Sequence, residues 1–217
     1  MSAQSKTTPS FAEASILVAI AFGYFIIASI DAVASNFPTS GSFSDSSLTN
    51  LMLIELILGG LAFLFLHFCG YSIRELLPKP SLKGCVHGML LCAVTLLAWS
   101  FIEPVFSYRS LEPEPIAIIA SNARPSLMYL TALSVLNGLY EEFFLLGYLV
   151  RGFAAAGASI AIGLSVFIRL LYHLYQGPIG AISVVVVGVI FSLYYWRVRS
   201  LWPVAFAHIL IDVIALA

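Results

Sequence analysis

Residues 137–152 read NGLYEEFFLLGYLVRG, and this stretch decides how the chain is to be read. Two adjacent carboxylates, Glu141 and Glu142, sit in a run otherwise apolar enough to cross a membrane. An acidic side chain at the centre of a spanning helix costs about 2.5 to 3.5 kcal/mol, so the charged pair would cost roughly 5 to 7 kcal/mol facing lipid. Both are therefore expected to face protein or a wet cavity. Neighbouring helix positions differ by about 100°, so one carboxylate can enter a site while the other meets an adjacent helix. Asn137, one turn before Glu141, shares its face.

The whole chain has the same character. It is 60% hydrophobic and only 10% charged, against about 45 to 50% and 25% in soluble domains. The composition predicts an all-α, polytopic membrane bundle. A net charge of −1 argues against a nucleic-acid partner and leaves the lipid bilayer as the medium the chain is built for. Cys69, Cys85 and Cys92 show neither metal-ligand spacing nor a disulfide framework and are read as core fillers. The opening residues, MSAQSKTTPS, lack the features of a secretory signal, so the first apolar run is expected to be a retained span.

A bilayer core of about 30 Å needs about 20 helical residues. Seven runs qualify, at approximately 12–34, 50–70, 84–106, 127–149, 156–175, 179–197 and 201–217, the last of them short. They are expected to form one transmembrane domain over 1–217, with the motif-bearing core at about 127–217. A Ser-rich loop joins the first two, and Pro113 and Pro115 punctuate a short interfacial helix between the third and fourth. With the N-terminus cytoplasmic, the inside loops hold Lys6, Arg74, Lys79, Lys83, Arg151, Arg197 and Arg199, and the outside loops only Arg109 and Arg124. That bias predicts N-terminus in and C-terminus out.

The fifth run ends SVFIRLLYHLYQGP, which puts Arg169 and His173 on one helical face, with Gln176 close to the same stripe. The seventh reads WPVAFAHILIDVIALA, where His208 and Asp212 share a face. Three helices thus bring polar groups inward. By contrast, His67 and His87 read as hydrogen-bonded core residues, and Asp31, Glu55 and Glu103 as solvated or snorkelling groups near span ends.

A carboxylate and an imidazole meeting in a restricted wet cavity can deprotonate water, and a second imidazole can donate to an oxyanion. That equipment suffices for amide hydrolysis. The same Glu, His and Asp groups could instead hold zinc with an open position for water. Two other classes use such groups: a proton-coupled transporter, which would show repeat symmetry that this sequence lacks, and a non-catalytic immunity or sorting partner.

The order E-E, then a His closing the next span, then H-x-x-x-D, resembles the CPBP family of CAAX prenyl endopeptidases and bacteriocin-processing intramembrane proteases, also called the Abi family. The similarity runs from about Glu141 to Asp212. It implies a helical bundle with a cavity opening toward the cytoplasmic leaflet, intramembrane proteolysis of a peptide entering from the membrane or cytoplasm, and a bacterial inner-membrane location. It also implies roles: Glu141 as the water-activating base, His173 as its partner, and His208 with Asp212 at the scissile carbonyl and oxyanion. A metal-free glutamic mechanism is expected, with zinc as the alternative cofactor.

The chain departs from that family's pattern in three places. The position of the usual Arg in E-E-x-x-x-R is Leu146; Arg169 stands where F-x-x-x-H usually has Phe; and Asp212 stands where Asn is common. Arg169 is therefore expected to pair with Glu142 from the neighbouring helix. At about 1.5 Å per residue, Glu141, His208 and Asp212 fall at similar depths, while His173 counts too far outward from residue 156. The segment AAAGAS, 154–159, is accordingly expected to be partly loop, or its helix tilted.

Overall fold

A computed structural model describes residues 6–37, 44–107, 115 and 125–216. Helix α1, Phe11–Ala34, starts at a capping box in which the Ser10 hydroxyl accepts from the Glu13 amide and the Glu13 carboxylate accepts from the Ser10 amide. It is followed by α2, Asp45–Phe68, the single turn α3, Ile73–Leu76, and α4, Leu82–Ser107. Helix α5, Leu127–Glu142, continues without a break as a π-helix over Phe143–Val150. Then come α6, Ala158–His173, α7, Pro178–Val198, and α8, Trp202–Leu216. The interfacial helix expected near Pro113 and Pro115 falls almost wholly outside the described residues.

Six of these segments are long and apolar enough to cross a membrane; α8, with 15 residues, is not. It spans about 22 Å at 1.5 Å per residue, short of a bilayer core. The second predicted span also starts earlier than read. Ser44 forms a capping box with Ser47, so Asp45, Ser46, Ser47 and Thr49 belong to the start of α2 rather than to a loop. The Ser-rich loop is correspondingly shorter, and its centre lies outside the described residues.

Helix α5 forms the centre. Of its most apolar stretch 78% is buried, against 22% for α1, α2 and α4, whose exposed Ile27, Ile57 and Phe101 face where lipid would lie. Around α5 pack α8 and α2, with α6 held between α1 and α7, and α4 lying along α8. Small residues set these approaches, as is usual where lipid gives no hydrophobic drive between helices. A Cβ on Gly138 would lie 2.9 Å from Ile209 Cγ1 and 3.2 Å from the Ile209 amide nitrogen, so α5 and α8 meet almost backbone to backbone.

The two ends of the bundle differ. At one end the Lys6 amide donates to the Gly70 carbonyl at 3.1 Å and Arg151 Nη1 donates to the Glu75 carbonyl at 2.9 Å. At the other, the Ser126 amide donates to Asp45 Oδ1 at 2.7 Å and the Tyr175 amide to Ser29 Oγ at 2.9 Å. Lys6, Arg74, Lys79, Lys83, Arg151, Arg197 and Arg199 all belong to the first end. The segment before α6 is non-helical in part: Ala154–Ala156 forms a 3-10 turn and Gly157 takes φ 96°, so α6 begins only at Ala158. His67 is exposed rather than part of the core, whereas His87 Nδ1 lies 3.0 Å from Tyr194 Oη.

Candidate functional site

Glu141 and Glu142 close the α-helical part of α5, immediately before the winding widens at Phe143. π-Helical turns are rare and recur at functional sites. From α6, Arg169 reaches across with both arms of its fork: Nη1 donates to Glu141 Oε2 at 2.9 Å and Nη2 to Glu142 Oε1 at 2.7 Å. Glycine at 188 on α7 leaves room for this, because a Cβ there would lie 3.3 Å from Arg169 Cδ. All three charged groups are at most 3% exposed. The contact expected between Arg169 and Glu142 is present, but Arg169 also holds Glu141. The adjacent carboxylates therefore share one cation instead of separating completely.

His208 on α8 completes the inner layer. Its Nδ1 lies 2.7 Å from Glu142 Oε1, while Nε2 lies 3.5 Å from Asp212 Oδ1 and 3.9 Å from Glu141 Oε2. The Asn137 amide donates to Asp212 Oδ2 at 3.1 Å, so Asn137 serves α8 although it shares a face with Glu141. His173 Nδ1 lies 3.0 Å from the Arg169 carbonyl, one turn back in α6. A carbonyl only accepts, so Nδ1 carries the proton and Nε2 is the acceptor. That Nε2 lies 3.9 Å from Glu141 Oε1, which places His173 level with Glu141 despite the long count from residue 156.

A cavity of about 450 Å³ opens beside this cluster. Glu141, His173, Asp212 and Asn137 line it, while Glu142, Arg169 and His208 lie outside its wall. Its other lining residues include Leu133 and Ser134 early in α5, Ile179 and Ser183 early in α7, Trp99 late in α4 and Ala215 at the end of α8. The cavity thus extends toward the end of the bundle opposite the basic residues. Ser134 and Ser183 donate to carbonyls of their own helices, at Leu130 and Gly180.

One further cavity residue escaped the sequence reading. Glu55, read as a group near a span end, is 3% exposed and lines the cavity from α2. The misplacement follows from the helix start: with α2 beginning at Asp45 rather than near 50, Glu55 lies well inside the span. The available signal was Ser44 and Ser47 as a capping pair.

Glu141, Glu142 and His208 each offer a potential metal ligand atom, all within 4.8 Å of one another. The set nevertheless fits zinc poorly. Arg169 already engages Glu141 Oε2 and Glu142 Oε1, and the latter also meets His208 Nδ1. A dication there would displace the guanidinium or sit against it.

These features define a multi-pass helical membrane protein with a carboxylate–imidazole–guanidinium cluster buried beside an internal cavity. Residues 123–214 match the family model described as type II CAAX prenyl endopeptidase Rce1-like, so this segment is similar to that family. No curated protein matches the chain, and no solved structure does. The matched segment carries α5 to α8 and every member of the buried cluster; α1, α2 and α4 lie outside it.

Proposed function

We propose that the protein is a metal-free, glutamic-type intramembrane endopeptidase in which Glu141 activates water. The observation that carries this reading is the 3.9 Å separation of Glu141 Oε1 from His173 Nε2 at the cavity wall. Two acceptors at that spacing suit a water that donates one hydrogen to each. Arg169 fixes Glu141 through its other oxygen, Oε2, leaving Oε1 for the water. As the water oxygen attacks the scissile carbonyl, its proton passes to Glu141 and the carbonyl oxygen becomes an oxyanion. Glu141 then returns that proton to the departing amine as the C–N bond breaks.

His208 stands on the other side of the reacting centre. With hydrogens on both ring nitrogens it donates to Glu142 through Nδ1 and presents Nε2–H to the oxyanion. Asp212, ionised and held by Asn137, orients that imidazole rather than donating itself. Glu142 and Arg169 hold the frame.

The basic residues also favour an orientation with the N-terminus inside. In that orientation the cavity opens toward the outer face, since its lining lies at the opposite end of the bundle from those residues. The substrate would then enter from the bilayer or the outer face, a departure from the cytoplasmic opening that the family resemblance implies.

The test is cleavage of a peptide library by the purified protein in detergent, comparing wild type, Glu141→Gln and His173→Ala with and without a chelator. Activity that survives chelation and is lost in both variants supports the glutamic mechanism. Loss to the chelator with recovery on adding zinc overturns it. Reporter fusions in the 69–81 and 174–177 connections read the orientation independently.

A further inference from the structure

Glu55 is a buried carboxylate that the mechanism above does not use. It projects from α2, outside the segment matched by the family model, and its Oε2 has no hydrogen-bond partner. An ionisable group at membrane depth is costly and is retained where it pairs with something. Among the described residues no Lys or Arg pairs with it, and the buried guanidinium of Arg169 is committed to Glu141 and Glu142. The cavity wall carries three carboxylates, Glu55, Glu141 and Asp212, and among its described lining residues there is no Lys or Arg. The same wall carries the aromatic rings of Phe22, Phe25 and Trp99. That combination suits a long aliphatic stem ending in a positive charge, which can pack its methylenes on the rings and present its head to the carboxylate.

We propose that Glu55 is the specificity-determining residue of a subsite that receives a Lys or Arg side chain of the peptide substrate. This rests on the endopeptidase reading and names the chemistry its substrate must carry. The catalytic cluster comes from α5, α6 and α8, whereas this subsite is supplied by α1, α2 and α4. The division separates the shared chemistry from a selection particular to this chain.

The experiment uses the full-length protein in detergent and peptide pairs that differ only by Lys or its neutral isostere norleucine, moved through successive positions. At one position Lys is expected to raise kcat/KM by roughly ten- to a hundredfold over norleucine, the range of a hydrogen bond to a charged group. Glu55→Gln should collapse that ratio toward unity, Glu55→Asp should restore part of it, and Glu55→Lys should favour a Glu-containing peptide instead. Absence of any position with a Lys preference, or a preference that survives Glu55→Gln, overturns the proposal. The same dye-labelled peptides are also measured for binding by fluorescence anisotropy. If nothing is cleaved, the protease reading fails; a Lys preference in binding that Glu55→Gln abolishes still supports the subsite, and equal binding of both peptides sinks it.

Discussion

Arg169 on α6 places Nη2 2.7 Å from Glu142 Oε1, joining the two helices that bear Glu141 and His173. The second arm, 2.9 Å from Glu141 Oε2, makes the contact a fork across two residues of one helix, a geometry that Lys cannot reproduce. A charge partner that the family pattern takes from the same helix, at the position of Leu146, comes here from a neighbour. Leu146 itself is fully buried in the apolar core.

Removing that cation should therefore leave two carboxylates buried side by side. Arg169→Leu is expected to cost about 3 to 5 kcal/mol, the penalty for breaking a buried pair by deleting one partner. Adding Glu142→Gln should recover part of the loss, because one of the stranded charges is then gone. Unfolding in mixed micelles for the four members of the cycle measures this. A coupling of at least about 0.5 kcal/mol is expected, and simple additivity refutes the pairing as an energetic unit.

If Arg169 stands in for the missing motif residue, moving the cation back should work in part. Leu146→Arg alone is expected to destabilise, since a guanidinium would enter a fully buried apolar position while Arg169 already serves the carboxylates. In the Arg169→Leu background the same change should restore stability above that of Arg169→Leu alone. Melting temperatures of the two single variants and the double variant decide it, and a double variant no more stable than Arg169→Leu rejects the exchange.

The order of these residues shows what the sequence could and could not reveal. Composition, the cost of Glu141 and Glu142 in an apolar run, and the one-turn spacings Arg169–His173 and His208–Asp212 were all legible, because helical periodicity fixes which side chains share a face. The partners across helices were not. That His208 meets Glu142 through Nδ1, and that Arg169 spans both glutamates, depend on the α5–α8 approach at Gly138 and the room at Gly188, which no local pattern encodes. Glu55 was hidden for another reason. Asp45, Ser46, Ser47 and Thr49 read as loop, yet a capping box makes them the start of a span and so moves Glu55 inward.

Asp212 offers a test of the roles proposed for α8. It accepts from the Asn137 amide at 3.1 Å and lies 3.5 Å from His208 Nε2, and the proposed mechanism uses it as an acceptor that orients the ring. An Asn there keeps one acceptor oxygen for Asn137 and adds a donor toward the site. Asp212→Asn is accordingly expected to fold and to retain measurable activity. Asp212→Leu should lose considerably more, because it also strands Asn137. Steady-state rates with a folding control check this; equal losses in the two variants would show that the carboxylate charge itself is needed.

The close approach of α5 and α8 carries the last prediction. Ile209, one residue after His208, faces Gly138 so tightly that an added Cβ would lie 2.9 Å from its Cγ1 and 3.4 Å from the Ala205 carbonyl oxygen. Gly138→Val must therefore push the helices apart, at a cost of about 1 to 3 kcal/mol for overpacking. The same movement draws His208 away from Glu141 and from Glu142, three and four residues along from the contact. Catalysis that depends on that alignment should fall more than stability does, since displacements of about 1 Å can cost a hundredfold in rate. Gly163 on α6 is the control, because a Cβ there meets nothing within 4 Å. Gly163→Ala should leave both stability and kcat near wild type, and a Gly138→Val protein that keeps full kcat would break the link between this helix contact and the site.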